Sequence, residues 1–210
     1  MTSPRRPIAS RGLKPIQAMA RWLGASPVTP NQISVASIGA AALVPVGLLT
    51  IGGWAGAVVA IVGIQLRLLA NVLDGLVAVE GGKHSRAGAL YNEFPDRIAD
   101  SVILVAVGCA AGVSWLGWLA ALLAALTAYV RLFGGSIGQP QSFRGPMAKQ
   151  HRMAVMTVVL AGAAGAQAAG RADLADPALL GGLALVAAGS AWTCWTRTRA
   201  ILAQLPRDDA

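Results

Sequence analysis

The feature that most limits how this chain folds is a set of six apolar stretches. Each is close to the roughly 17–25 residues that a helix needs to cross a bilayer. They lie near positions 33–51, 54–77, 97–112, 115–133, 153–169 and 178–195, the third being the shortest. Apolar residues make up 55% of the 210 positions and charged residues 12%, where a soluble domain carries about 25% charged residues. A water-soluble globule would lack the polar surface to cover itself, and a disordered chain would be far more polar. Cys109 and Cys194 both sit in apolar runs, which offers neither a disulfide framework nor a zinc site. The net charge of +8 punctuates apolar segments, so it points to a membrane and not to nucleic acid. The expected fold is an all-α integral membrane protein with six transmembrane helices and an N-terminal interfacial amphipathic helix. Its expected parts are a cytoplasmic segment (1–32), a six-helix catalytic domain (33–199) and a cytoplasmic tail (200–210).

Charge sets the orientation. Arg5, Arg6, Arg11, Lys14, Arg21, Lys83, Arg86, Arg97, Arg144, Lys149, Arg152, Arg197, Arg199 and Arg207 fall on one side of the alternating spans, and only Arg171 falls on the other. The positive-inside rule places that basic side, with both termini, in the cytoplasm. No apolar run follows the first arginines, so they are not read as a cleaved signal peptide. Positions 15–23 read as an amphipathic helix, with Ile16, Met19, Ala20 and Leu23 opposite Lys14 and Arg21. Thr29-Pro30-Asn31-Gln32 then forms a helix start, with Thr29 as N-cap and Gln32 closing a capping box. That structural role does not require Asn31. The tryptophans near span ends (Trp22, Trp54, Trp115, Trp118, Trp192 and Trp195) read as interfacial anchors.

The spans are apolar except around the second and third. Between positions 67 and 100 lie Arg67, Asn71, Asp74, Glu80, Lys83, Arg86, Asn92, Glu93, Asp96, Arg97 and Asp100. Arg67, Asn71 and Asp74 share one helical face, and Asp96 and Asp100 share another. Spans two and three are expected to be antiparallel neighbours, so that both sets sit at the cytoplasmic end and can converge. Gathered carboxylates there are costly to dehydrate unless something positive offsets them. Two solutions are open. One is a structural ion-pair network using Arg67, Arg97 and Arg131; the other is divalent metal held by carboxylate and amide oxygens.

At these residues the chain resembles the CDP-alcohol phosphotransferase (phosphatidyltransferase) family. The family pattern is Asp-x2-Asp-Gly-x2-Ala-Arg, about eight residues, then Gly-x3-Asp-x3-Asp. This chain reads Asn71-x2-Asp74-Gly75-x2-Ala78-Val79, eight residues, then Gly88. Laid on without a gap, the last two acidic positions fall on Asn92 and Asp96. With one helical turn inserted they fall on Asp96 and Asp100. The second placement restores both carboxylates, and Pro95 disfavours a helical Phe94, so the helix carrying the carboxylates is expected to start at Pro95. The departures are Asn71 for the first aspartate and Val79 for the motif arginine.

The resemblance implies transfer of a phosphatidyl or similar group from a CDP-linked lipid such as CDP-diacylglycerol to an alcohol, releasing CMP, in phospholipid synthesis. It implies Mg²⁺ or Mn²⁺, as two ions, on Asn71, Asp74, Asp96 and Asp100, with Asn92 and Glu93 as further candidates. Asp100 takes the general-base role, with Asp96 beside it. The CDP side is assigned to Asn31, Asp74, Gly75, Ala78, Lys83 and Gly88. The acceptor, expected to carry a phosphate, is assigned to Arg131, Arg144, Lys149 and Arg152. Family members usually form homodimers. His84 and His151 read as loop residues, since metal-site histidines come with histidine or cysteine partners. The alternative reading is a catalytically inactive membrane protein that binds CDP-lipid or metal as a partner or regulator. A transporter fits less well, because its polar groups would lie near the midplane.

Overall fold

The computed structural model describes residues 13–83 and 85–205. Arg5, Arg6, Arg11, His84 and Arg207, and with them both chain ends, lie outside the described residues. Among the described residues all regular structure is helical: α1 (Lys14–Ala25), α2 (Pro30–Pro45), α3 (Gly53–Glu80), α4 (Gly88–Ala110), α5 (Ser114–Ser136), α6 (Lys149–Ala168) and α7 (Ala175–Leu202). A widened π turn over Val46–Ile51 continues α2, and a short 3₁₀ turn over Ala172–Leu174 leads into α7. The π turn begins directly after Pro45, which has no amide to extend the ordinary ladder. It is closed by the Gly52 amide donating to the Gly47 carbonyl at 2.9 Å.

Four segments are long and apolar enough to cross a membrane: Pro30–Ile51, Gly53–Glu80, Ser114–Ser136 and Ala172–Leu202. α4 and α6 have 23 and 20 residues, but their first turns carry the charged side chains of the polar region. The Thr29 capping box forms as the sequence indicates, Thr29 accepting from the Gln32 amide and Gln32 from the Thr29 amide.

Two expectations about α4 are overturned. The helix starts at Gly88, not Pro95, and Pro95 sits buried inside it. The missing proline amide removes one bond from a helix that otherwise continues on both sides. Asn92, Asp96 and Asp100 therefore occupy three successive turns of one face. In addition, α3 and α4 barely touch. The helices close a ring in the order α2, α3, α6, α7, α5, α4 and back to α2, so α2 lies between the two helices expected to be neighbours. Alternating direction brings the starts of α2, α4 and α6 to one end of this ring, along with the ends of α3, α5 and α7. The charged side chains of the polar region all belong to that end.

The ring is lined by small and medium apolar side chains, including Ala41, Ala60, Ile64, Ile103, Leu104, Met153, Met156 and Leu183, all fully buried. Close approach substitutes for bulk here. At the α2–α3 crossing, a Cβ on Gly56 would lie 2.2 Å from the Gly47 carbonyl oxygen. Outside the ring, α1 packs on the end of α3. Ala20 is buried, and Ile16 and Leu23 lie against Val72, Leu73, Leu76 and Val77. Met19, expected on that apolar face, is exposed. All six tryptophans are exposed on the outer surface.

Gly56→Ala is expected to destabilise the detergent-solubilised protein by about 1–3 kcal/mol, read as a lower thermal midpoint. Gly162, where an added Cβ would meet nothing within 4 Å, is the control. Gly162→Ala should leave the midpoint unchanged or raise it, since alanine favours helix by about 1 kcal/mol.

Candidate functional site

The polar end of the ring contains three buried carboxylates. Asp74 comes from the last turns of α3, and Asp96 and Asp100 from the first half of α4; all three are 4% exposed or less. Arg67, about two turns before Asp74 on α3, is fully buried. Its Nη2 donates to Asp96 Oδ1 at 3.0 Å and to Asp100 Oδ1 at 2.5 Å. α6 supplies two more cations from its first turn. Lys149 Nζ pairs with Asp96 Oδ2, and Arg152 Nη2 donates to Asp100 Oδ2 at 2.8 Å. Arg97 stands 3.6 Å from Asp96 Oδ2. Every oxygen of Asp96 and Asp100 thus faces a cation. Of the two solutions left open by the sequence, the ion-pair network is the one formed at these two residues.

Asp74 is different. Its Oδ2 accepts from the Ser34 hydroxyl at 2.6 Å. Its Oδ1 is buried without a hydrogen-bond partner of good geometry. Among the described residues, no cation pairs with either oxygen. Asn71, one turn earlier, donates its amide to the Arg67 carbonyl at 3.0 Å, which leaves its Oδ1 as the remaining acceptor. Among the described residues, no three His, Cys, Asp or Glu side chains converge to hold a metal ion. An unpartnered buried carboxylate oxygen beside an amide oxygen is nevertheless the hard donor pair that Mg²⁺ or Mn²⁺ takes. The residues present fit a divalent ion at Asp74, completed by oxygens from elsewhere.

The other candidates divide. Asn92 is exposed one turn before Asp96. Glu93 turns to Arg131, its Oε1 accepting from Nη2 at 2.6 Å. Arg131 also donates to Gln141 at 2.6 Å and stacks over Phe143, so its guanidinium is held by protein groups. Arg144 is exposed. Asn31 hydrogen-bonds Ser85 at 3.2 Å, linking the start of α2 to the loop before α4. Gly75, Ala78 and Gly88 are half-buried on the same end of α3 and α4. The Lys83 ammonium is taken up by the carbonyls of Leu23, Ser26 and Val28. It ties α1 to the loop after α3.

Sequence reasoning missed three members of the network: Ser34, Thr127 and Arg197. Ser34 lies one turn after Asn31 on α2, and that spacing is the signal that would have found it. Thr127 of α5 accepts from Arg152 through its hydroxyl at 3.3 Å and from Arg197 of α7 through its carbonyl at 2.5 Å. Neither Thr127 nor Arg197 stands in a recognisable pattern. Through Arg152, Thr127 and Arg197 the network reaches α5, α6 and α7.

No protein-family profile matches the chain. The phosphatidylinositol phosphate synthase of Mycolicibacterium smegmatis is 29% identical over 163 residues, which cover 71% of this chain and 66% of that protein. The crystal structure of Mycobacterium tuberculosis phosphatidylinositol phosphate synthase with CDP-DAG bound superposes with a TM-score of 0.73 and 21% identity, over 94% of this chain and 98% of that one. The same enzyme in complex with manganese and citrate gives 0.69 and 22%, over 93% and 92%. The chain is similar in sequence and in fold to phosphatidylinositol phosphate synthase. The resemblance to the CDP-alcohol phosphatidyltransferases read from the motif is borne out, and the solved structures share its fold.

The motif departs from the family pattern at two points that the geometry makes concrete. Asn71 removes one negative charge from the side of Asp74. Val79, in place of the motif arginine, is 45% exposed and offers no cation to the mouth of the site.

Removing Arg67 leaves Asp96 and Asp100 each short of a partner while buried. Arg67→Met is expected to lower stability by about 3–5 kcal/mol. Adding Asp100→Asn should recover part of that loss. Thermal unfolding of the two variants in the same detergent checks this; equal midpoints would show that Arg67 and Asp100 are not coupled.

Proposed function

We propose that the protein is a CDP-alcohol phosphatidyltransferase. It moves a phosphatidyl group from a CDP-linked lipid such as CDP-diacylglycerol to an alcohol and releases CMP. The observation that carries this reading is Asp74, a buried carboxylate with an uncommitted oxygen next to an acidic pair, in a chain similar to a synthase whose structure has been solved with CDP-DAG. Six helices, α2 to α7, cross the cytoplasmic membrane, with α1 along its inner face and both termini in the cytoplasm. The basic residues at the polar end support that orientation.

The continuous α4 supports the placement of the motif without a gap, in which Gly88, Asn92 and Asp96 follow one another on successive turns. Asp96 then takes the last acidic position, and with it the general-base role. The geometry agrees on chemical grounds. Both Asp100 oxygens are held by arginines, which cannot give up a proton. Asp96 Oδ2 faces Lys149 and, at 3.6 Å, Arg97, both partly exposed side chains that an incoming alcohol can displace, whereas the arginines on Asp100 are fully buried. Asp100 is therefore a positioning residue that fixes Arg67 and Arg152, while Asp96 accepts the alcohol proton. The alcohol oxygen forms its bond to the lipid-side phosphorus as the bond to CMP breaks, and CMP leaves with the electron pair.

A divalent ion bound at Asp74 and Asn71 would neutralise the diphosphate and make its phosphorus more electrophilic. Lys149, partly exposed beside Asp96, is placed to orient an acceptor bearing a phosphate, while Arg152 is buried behind it on Asp100. A homodimer is part of the same reading.

The second reading, a CDP-lipid-binding protein without turnover, is favoured by Val79 and by the cations already on Asp96 and Asp100. Purified protein with Mn²⁺ and CDP-diacylglycerol separates the two. Transferase activity gives CMP on addition of the right alcohol, from a panel that includes inositol phosphates. Asp96→Asn should cut CMP release by at least about a thousandfold, near the range seen when a positioned base is lost. Asp100→Asn should reduce it less. CDP-lipid binding without CMP across the panel would favour the second reading.

A further inference from the structure

We propose that Thr193 of α7 and Gly145 are positioning residues for the acceptor side of the site. Their contact clamps the turn over 144–148 and thereby sets where Lys149 meets Asp96. The inference rests on the reading above in which Lys149 orients the acceptor, and it concerns what puts Lys149 there.

The start of α6 is weakly specified by its own sequence. Its N-cap is Ala148, which makes no side-chain cap, and no acidic residue stands in its first turn. Lys149 and Arg152 come first instead, where the positive end of the helix dipole disfavours cations. Such a start frays unless groups outside the helix hold it.

α7 supplies that hold. The Thr193 hydroxyl donates to the Gly189 carbonyl at 2.8 Å and accepts from the Met147 amide at 3.0 Å. One turn further along, Arg197 Nε donates to the Arg144 carbonyl at 2.9 Å. Arg152 closes the turn from within, its Nη1 donating to the Met147 carbonyl at 3.0 Å. Thr193 is fully buried and Met147 nearly so, so a released Met147 amide would find no ready replacement partner.

Shape makes the contact tight. Gly145 has φ +108°, and a Cβ there would stand 2.6 Å from Thr193 Cγ2 and 2.9 Å from its Cα. The Met147 side chain lies over Gly189, where an added Cβ would be 2.7 Å from its Cε. The turn is thus seated on the α7 backbone itself. Lys149 follows Met147 by two residues, at most about 7 Å of chain, so a shift of the turn carries the root of the lysine with it. Asp74, Asn71 and Ser34 come from α2 and α3. Loosening the turn therefore acts on the acceptor and not on the CDP-lipid.

Two measurements on the purified full chain in detergent test this. The first needs no turnover: Lys149 is acetylated with N-hydroxysuccinimidyl acetate and read by peptide mass spectrometry, with exposed Lys14 as the reference. Thr193→Val keeps the shape but removes the acceptor for the Met147 amide, and should raise Lys149 labelling several-fold. Gly145→Ala should do the same, and Thr193→Ser should restore the original level. Ser190→Ala removes a buried hydroxyl without a hydrogen-bond partner one turn earlier on α7, and should change nothing. The second measurement is CMP release with the acceptor from the panel. Thr193→Val should raise the acceptor KM by about tenfold, the range for leaving a buried amide unpaired. The KM for CDP-diacylglycerol should stay where it is, and Thr193→Ser should rescue. A general loss of folded protein lowers the rate without that split. Unchanged Lys149 labelling in folded Thr193→Val or Gly145→Ala overturns the proposal. Unfolding of both variants, judged by circular dichroism, overturns it too, because the contact would then hold the bundle and not the turn. No CMP from the unmodified chain sinks only the proposed reaction, since the labelling still decides the clamp. CMP release with both KM values unmoved by Thr193→Val sinks only the positioning role.

Discussion

The guanidinium of Arg67, buried between Asp96 and Asp100, is the contact on which the polar end of this protein depends. Two carboxylates one turn apart on α4 repel each other, and burial leaves little solvent to screen them. A single planar cation reaching across from α3 binds one oxygen of each. The other two oxygens are covered from α6, so three helices are joined through one acidic pair. Burying this many charges gives little net stability. What it does is fix the ends of α3, α4 and α6 relative to one another, because no member can leave without stranding its partner.

That constraint matters because α3 and α4 are not packed together. α2 separates them, and the closed ring leaves the interior of the polar end to side chains rather than to helix contacts. The apolar part of the ring achieves its spacing with alanine and glycine, as at Gly47 and Gly56. Its polar end achieves the same spacing with long cationic arms. The two halves therefore respond to different changes, the first to added volume and the second to lost charge.

The apolar runs and the capping box are readable because each follows from local chemistry. A run of span length demands a helix, and Thr29 with Gln32 demands its start. The acidic residues are also legible, since charges in apolar helices stand out. Their pairing is not. Arg67 stands out as a candidate counter-ion, but the sequence alone does not choose between it and a metal; reach across an intervening helix makes that choice. The start of α4 is hidden because Pro95 reads as a helix breaker, whereas tertiary packing absorbs one missing hydrogen bond. Ser34 is marked only by its spacing one turn after Asn31, and Thr127 carries no signal that separates it from other hydroxyls in apolar helices. Arg131 and Lys83 resemble phosphate ligands because they are basic and near the motif, and both turn out to be engaged by neighbouring protein groups.

Lys83 has a consequence of its own. Its ammonium gathers three main-chain carbonyls from the end of α1 and the bend between α1 and α2, outside the ring that holds the other helices together. A single amine therefore works as a clasp, holding the first helix across the end of the third. Reagents that acylate exposed lysines would meet this one already occupied by main-chain carbonyls, so its tie adds to the apolar packing of Ala20, Ile16 and Leu23 in holding the first helix.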